Sequence, residues 1–357
     1  MGRQRELRDA GGRRRLLDRS EGAGDPPRRN RAVSEGRQLG GGNRTPWSDL
    51  PASVRTGIEE VLGAPVVDAR SQSGGFSPGS ADRLVTADGR RAFAKAVAAA
   101  ADPDAHQIHR AESRILPLLP RHLPVPRLLG VVETDEWIAL VLADIEGRHP
   151  ATPWLPAELD RALDALAAIA AEPVSAGLAE VLPPLGTAVA PLFGGWARLD
   201  PDHPPRLPDG LDAWYLDRLD RLGTLASEAL EVVVGDRLVH LDARADNLLV
   251  RPDGSVVVID WPWAAVGAPW FDALTLLMNV RYFDPGSAVD AVMARHPAFT
   301  GLTAAAALRA LAGLGGFFAE ASTRPAPPGL PTLRRFQRDQ AVATLGWLRE
   351  RWPDLDG

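Results

Sequence analysis

The segment from Leu238 to Trp263 constrains the fold more than any other part of the chain, because it alternates polar groups with short apolar runs. It reads LVHLDARADNLLVRPDGSVVVIDWPW. The runs at 248–251 and 256–260 have the composition of short strands, and the Pro-Asp-Gly between them is typical of a hairpin turn. The segment therefore predicts a β-hairpin with a polar loop at its entrance.

The polar residues of this segment have a spacing that suits phosphoryl transfer. His240, Asp242 and Asn247 follow the pattern H-x-D-x-x-x-x-N, and Asp260 ends the second strand. A carboxylate in a tight loop can accept a proton from a hydroxyl. An amide oxygen and a second carboxylate are hard ligands of the kind that Mg²⁺ prefers. Together these groups predict transfer of a phosphoryl group.

The two halves of the chain have different patterns. Up to Ile145, five short strand-like segments are separated by glycine or Asp-Gly turns, and one helix is expected at about 104–119. From Pro156 onward, long segments rich in alanine and leucine have a helical period. The break falls in DIEGRHPATP, whose glycine and prolines suit a linker. We therefore expect a sheet-based lobe at 47–146 and a helical lobe at 147–357.

Residues 1–46 are expected to be a disordered basic tail. They hold twelve arginines against six acidic residues and almost no aromatic or β-branched residues, so they cannot bury enough apolar surface to offset the entropy of ordering. The interspersed acids argue against nucleic acid as a partner. We found no apolar run long enough to span a membrane and no secretory h-region, so we expect a cytoplasmic protein with no membrane partner.

HLDARADN followed by VVVIDW resembles the catalytic loop and metal-binding segment of the aminoglycoside phosphotransferase and choline kinase-like group, small-molecule relatives of the protein kinases. The resemblance covers roughly residues 55–350. It implies an α+β, bilobal, protein kinase-like fold, with a small five-stranded antiparallel N-terminal lobe carrying one helix and a larger, mainly helical C-terminal lobe. The group usually has glycine where Leu241 stands. GAPWFDALTLL also resembles the group, and there Asp272 is expected to cap or brace a helix.

The resemblance also implies roles for the four polar residues of the hairpin. Asp242 would orient and deprotonate the hydroxyl, and His240 would orient the catalytic loop by hydrogen bonds. Asn247 and Asp260 would hold Mg²⁺, with ATP as the other cofactor. The N-terminal lobe would bind the nucleotide, and the C-terminal lobe would carry the catalytic loop and the substrate site.

In the N-terminal lobe, Lys95 is the expected phosphate-binding cation. It is the only lysine among 40 basic residues, which suggests a site that needs a compact point charge. Glu112 lies in the expected helix, where it could pair with Lys95. Gly74 and Gly75 occupy the place of a phosphate-covering loop, although a plain hairpin turn would have the same composition. The resemblance implies that main-chain groups of Val141, Leu142, Ala143 and Asp144 meet adenine.

The sequence thus predicts an ATP-dependent kinase acting on a hydroxyl of a small molecule. From residue 149 onward there are 26 acidic residues against 17 basic ones, which suits an aminoglycoside or another amine, although the same acidity also serves solubility. A nucleotide-binding pseudokinase or scaffold without transfer activity is the alternative. A protein kinase is disfavoured, because IDW replaces the D-F-G segment and no A-P-E follows. The oligomeric state stays unknown.

Overall fold

The computed structural model describes residues 44–72, 79–200, 202–327 and 330–355. Five antiparallel strands form one sheet in the order β1-β2-β3-β5-β4. Two helices accompany this sheet, one before the first strand and one between the third and fourth. The elements are α1 Ala52–Leu62, β1 Val66–Ser71, β2 Ser80–Thr86, β3 Arg91–Ala98, α2 Pro103–Ile115, β4 Leu128–Glu133 and β5 Trp137–Ala143.

The two helices pack on opposite faces of the sheet. Along β5, Ile138, Leu140 and Leu142 join the core on the α2 side, whereas Ala139 and Val141 join the core beneath α1. This is the period-2 alternation of a strand buried on both faces. Helix α2 begins where the Asp102 side chain accepts a hydrogen bond from the Ala105 amide at 2.8 Å. The sheet therefore separates an outer layer, α1, from an inner layer, α2.

The rest of the described chain is mainly helical, with four short strands. Its helices are α3 Pro156–Ala171, α4 Ala176–Val181, α5 Leu185–Phe193, α6 Gly195–Arg198, α7 Leu211–Leu216, α8 Leu219–Val232, α9 Phe271–Phe283, α10 Val289–Arg295, α11 Ala304–Ala321 and α12 Leu333–Glu350. Its strands are β6 Arg237–Val239, β7 Leu248–Val250, β8 Val256–Val258 and β9 Ala265–Gly267. The expected α+β architecture, a five-stranded antiparallel lobe followed by a helical lobe, is confirmed.

Helix α11 is the centre of the helical lobe. It packs against α8 and α12, and the Trp196 indole donates a hydrogen bond to the Ala312 carbonyl at 2.8 Å. By length and composition α11 is the one helix of the described residues that could cross a membrane, but 72% of it is buried inside the protein. It is therefore packed as a core helix.

The described chain begins close to the sheet. Arg44 forms a parallel bridge with Gly79, and the Thr45 amide donates to the Gly79 carbonyl at 3.0 Å. These contacts lie just before the boundary expected at residue 47. Residues 1–43, to which the prediction of a disordered tail mainly applies, lie outside the described residues.

Candidate active site

The catalytic loop and Asp260 are held at the same end of the β7–β8 hairpin. Leu248 pairs with Val258 at this end of the ladder, and the Ile259 amide donates to the Asn247 carbonyl at 2.9 Å. Asn247 is thereby fixed beside the residue that precedes Asp260. The local sequence favours this geometry, because two apolar three-residue strands lie on either side of a turn that contains Pro252-Asp253-Gly254.

Asp272, the second residue of α9, braces the catalytic loop. Its two carboxylate oxygens accept hydrogen bonds from the amides of His240 at 2.6 Å and Leu241 at 2.9 Å. Leu241 has φ 71°, a left-handed conformation that glycine adopts without strain and leucine does not. This explains the preference for glycine in the resembling group, and it shows that the brace holds a strained turn. Asp272 thus supports the loop more than the helix that carries it.

His240 is a buried, hydrogen-bonded support of the loop. Its Nε2 is 3.0 Å from the Ile259 carbonyl, and its Nδ1 is 3.3 Å from the Asp242 amide. An amide can only donate, so Nδ1 accepts and the proton resides on Nε2. Burial lowers the pKa of His240, which keeps the ring neutral. The geometry agrees with an orienting role.

Asp242 lies between an amide and a guanidinium. The Asn247 Nδ2 donates to Asp242 Oδ2 at 2.8 Å and to the Asp242 carbonyl at 2.9 Å. On the other side, Arg244 Nε is 3.5 Å from Asp242 Oδ1. Arg244 is itself held by Asp246, to which its Nε and one terminal nitrogen donate at 3.1 and 3.0 Å. These contacts fix the Asp242 carboxylate in one orientation.

The surroundings of Asp242 give it the protonation behaviour of a base. Its side chain is only 27% exposed. Burial raises the pKa of Asp242 to about 6, with Arg244 opposing the rise and Asp246 adding to it. A carboxylate with this pKa is ionised at pH 7 and is more basic than an ordinary aspartate. Asp242 can therefore accept a proton.

Lys95, Glu112 and Asp260 form an ion triad between the two lobes. Lys95 Nζ lies 2.8 Å from Asp260 Oδ1 and also contacts Glu112 Oε2. Glu112 is fully buried, and its other oxygen is 3.4 Å from the amide of Trp261. Burial alone would lower the pKa of Lys95, but the charges of Asp260 and Glu112 outweigh it and raise that pKa. Lys95 is therefore a permanent cation.

Asp260 is the more accessible acid of the triad. Its side chain is 39% exposed, and its backbone is left-handed with φ 68°. Although burial opposes ionisation, Lys95 lowers the pKa of Asp260 to about 2. Asp260 is therefore an anion over the whole physiological range, and its Oδ2 is not used in the contact with Lys95.

Asn247 and Asp260 are suited to Mg²⁺. The Asn247 amide uses its nitrogen for Asp242, which leaves its oxygen as a ligand, and Asp260 offers an ionised carboxylate. Among the described residues, no three histidine, cysteine, aspartate or glutamate side chains form a metal site. A Mg²⁺ ion bound with a nucleotide needs only one or two protein oxygens, because phosphates and water complete its shell. The two residues fit that requirement.

The four residues expected to contact adenine fall at the end of β5. Val141 and Leu142 lie within the strand, paired with β3 on one side and β4 on the other. The main chain leaves the sheet after Ala143. The Asp144 carboxylate is held by Arg83 and Arg91, each at 2.9 Å. The geometry favours Ala143 and Asp144 over the two preceding residues. Gly74 and Gly75 lie outside the described residues, so their assignment stays a prediction.

Asn279 is a support of the loop that the sequence analysis did not identify. Its Oδ1 accepts hydrogen bonds from the Ala245 amide and from the Trp154 indole, both at 3.2 Å. Asn279 lies two helical turns after Asp272 on α9, so both side chains face the loop. Two buried polar residues seven positions apart on a mostly apolar helix were the available indication.

Comparison with known proteins agrees with this architecture. The model of the Phosphotransferase enzyme family matches residues 75–314. A comparison with curated proteins gives no match. Among solved structures, an aminoglycoside phosphotransferase from Alicyclobacillus acidocaldarius is 17% identical, with a TM-score of 0.51 over 82% of this chain and 93% of that one.

Two further structures have the same fold. A thermostable mutant of an aminoglycoside phosphotransferase, in a ternary complex with ADP and hygromycin B, is 18% identical, with a TM-score of 0.55 over 86% of this chain and 100% of that one. A choline kinase from Streptococcus pneumoniae is 14% identical, with a TM-score of 0.53 over 82% and 97%. At these identities the structures establish the fold, and the family model covers well over half of the chain. The expected resemblance is confirmed, and the chain belongs to the phosphotransferase enzyme family.

Proposed function

We propose that this protein is an ATP-dependent kinase that transfers the γ-phosphoryl group to a hydroxyl of a small molecule. The observation that carries the proposal is that two pairs of contacting side chains meet at the end of one short hairpin. At its end, Asp260 contacts Lys95 at 2.8 Å, and Asn247 contacts Asp242 at 2.8 Å. A cation, a pair of metal ligands and a base are thus held together, as phosphoryl transfer requires.

In this proposal the residues of the N-terminal lobe bind the nucleotide. Lys95, positioned by Glu112, binds the α- and β-phosphates, and main-chain groups near Asp144 bind adenine.

Asn247 and Asp260 hold Mg²⁺, which when bound neutralises phosphate charge during transfer. Asp260 is supported in this role by its low pKa and by its partial exposure.

Asp242 acts on the acceptor. It accepts the proton of the substrate hydroxyl while the hydroxyl oxygen forms a bond to the γ-phosphorus. The bond from that phosphorus to the oxygen bridging the β- and γ-phosphates breaks, and ADP leaves. The pKa of about 6 supports this assignment, because a base works best when its pKa is near the working pH. His240, Asp272 and Asn279 position the loop and do not touch the reacting atoms.

An amine-bearing substrate, such as an aminoglycoside, is the favoured class. The excess of 26 acidic residues over 17 basic ones from residue 149 onward supports a cationic substrate. The ADP and hygromycin B bound to one of the similar structures, and the choline kinase activity of another, agree with this choice. A cytoplasmic location, where ATP is available, is part of the proposal.

The direct test is substrate-dependent release of ADP from MgATP. Hydroxylated amines, aminoglycosides, sugars and macrolides should be screened with wild-type protein and with Asp242→Asn as the matched blank. We expect at least one hydroxylated amine to raise ADP release in the wild type alone. MgATP binding with no substrate-dependent release across the panel would instead favour the nucleotide-binding scaffold.

A further inference from the structure

Arg44 is fixed by its main chain at the edge of the sheet. It forms a parallel bridge with Gly79, and the following amide, that of Thr45, donates to the Gly79 carbonyl at 3.0 Å. Trp47 then packs against the core beneath α1. Gly79 has φ 102°, and a Cβ there would lie 2.3 Å from the Ala96 carbonyl oxygen. The residue to which Arg44 is bridged must therefore be glycine, because it lies against β3 with a positive φ.

The bridge places Arg44 at the end of the sheet where Lys95 lies. Gly79 immediately precedes β2, and Ala81 of β2 is the register partner of Lys95 in β3. Lys95 projects towards α2, where it meets Glu112. The main chain of Arg44 therefore lies beside the start of β2, the strand that neighbours Lys95.

The electrostatic neighbours of the half-buried Arg44 side chain mark the same position. Burial lowers the pKa of Arg44, and the carboxylates that oppose this are Asp260 first and Asp82 second. On α2, the pKa of His109 is lowered to about 3, mainly by burial and the Lys95 charge, and Arg44 contributes as well. The Arg44 charge is therefore within electrostatic range of carboxylates at the end of the hairpin and in β2, which agrees with the position given by the main-chain bridge.

We propose that Arg44 is a phosphate-binding residue of the nucleotide site, acting beside Lys95. This rests on the proposed ATP-dependent function. Asp260, the acid assigned to Mg²⁺, is within electrostatic range of Arg44, and we therefore assign Arg44 to the β- and γ-phosphates, which this Mg²⁺ would accompany. The planar fork of Arg44 can donate two parallel hydrogen bonds to phosphate oxygens, which a lysine cannot do.

The test compares the binding of MgATP and AMP by isothermal titration to wild type, Arg44→Ala, Arg44→Lys and Arg55→Ala. Arg55 is the matched control, because it lies on α1, on the opposite face of the sheet from Lys95, and its guanidinium donates to the Ser48 carbonyl. We expect Arg44→Ala to weaken MgATP binding about tenfold or more, with AMP affinity within about twofold of wild type. Arg44→Lys should fall in between, and Arg55→Ala should match wild type.

Equal MgATP affinity in Arg44→Ala and wild type would overturn the inference. Equal losses of MgATP and AMP affinity would overturn it too, because they would indicate a structural role. If the alanine variant does not fold, Arg44→Gln keeps the length of the side chain without its charge, and the same two criteria apply. A wild-type protein that does not bind MgATP would overturn the proposed function, whereas a variant that binds like wild type overturns only the role of Arg44.

Discussion

Replacing Asp242 by asparagine is expected to make the protein more stable and catalytically inactive at the same time. Burial raises the pKa of Asp242 from 3.8 to about 6, so the folded state disfavours the ionised form. At pH 8 this penalty is about 3 kcal/mol. The amide oxygen of the new residue can still accept the hydrogen bond from Asn247. Because the side chain is 27% exposed, we expect a gain of about 1 to 3 kcal/mol.

The stability gain of Asp242→Asn is expected to increase with pH. A carboxyl whose pKa is higher in the folded state does not reduce stability at a pH below its pKa in the unfolded state. It reduces stability by the full amount at a pH above its pKa in the folded state. The advantage of Asp242→Asn should therefore be complete at pH 8 and fall to about half by pH 5. At pH 8, where Asp242 of the wild type is ionised, transfer by the variant should be lower by roughly a hundredfold or more, as expected for a lost base.

Urea unfolding at pH 8 and pH 5, monitored by tryptophan fluorescence, measures the stability change. Asp236→Asn is the control, because its carboxylate is 86% exposed, and it should change stability little at either pH. An Asp242→Asn protein that is less stable than wild type at pH 8, or whose gain is the same at both pH values, would refute the reasoning.

Three further changes test neighbouring parts of the site. Lys95→Arg should reduce kcat/KM by about tenfold or more despite keeping the charge, because the planar fork cannot take the place of the ammonium beside Glu112; wild-type turnover would remove Lys95 from the site. Arg244→Gln removes the charge that lowers the pKa of Asp242, so the rising limb of the pH–rate profile should move to higher pH. An unchanged limb would show that Arg244 does not set the pKa of the catalytic base. Asn279→Ala should lower kcat and leave the Kd of MgATP unchanged, and a matching loss of MgATP binding would show that Asn279 supports more than the loop.

The sequence predicted those parts of the site that depend on local order. The catalytic loop, the hairpin and Asp260 are contiguous, so their turn residues and apolar runs determine their arrangement. Lys95 and Glu112 could be paired in advance because the family resemblance implies a lysine on the third strand and a glutamate on the following helix. The structure brings these residues together, and their catalytic roles remain predictions.

Other features depend on contacts between distant segments, which local patterns do not specify. Arg44 meets Gly79 across 35 residues of chain, and Asn279 reaches Ala245 across 34. VLAD carries no turn residue to mark where the main chain leaves the sheet, so the sequence alone could not locate the end of β5 at Ala143. Leucine at position 241 gave no local indication of a left-handed backbone, since that conformation is held by Asp272, which lies 31 residues further along the chain on α9.

The separation of roles between Asp242 and Asp260 is tested most directly by titrating wild type, Asp242→Asn and Asp260→Ala with ATP, with and without Mg²⁺. Asp260→Ala removes a charged oxygen ligand of the metal, so Mg²⁺-dependent ATP affinity should fall by about tenfold or more. Asp242→Asn should bind MgATP as tightly as wild type, because the carboxylate charge that it removes acts on the acceptor hydroxyl and not on the nucleotide. Equal affinity losses in the two variants, or MgATP binding by Asp260→Ala at the wild-type level, would contradict the account.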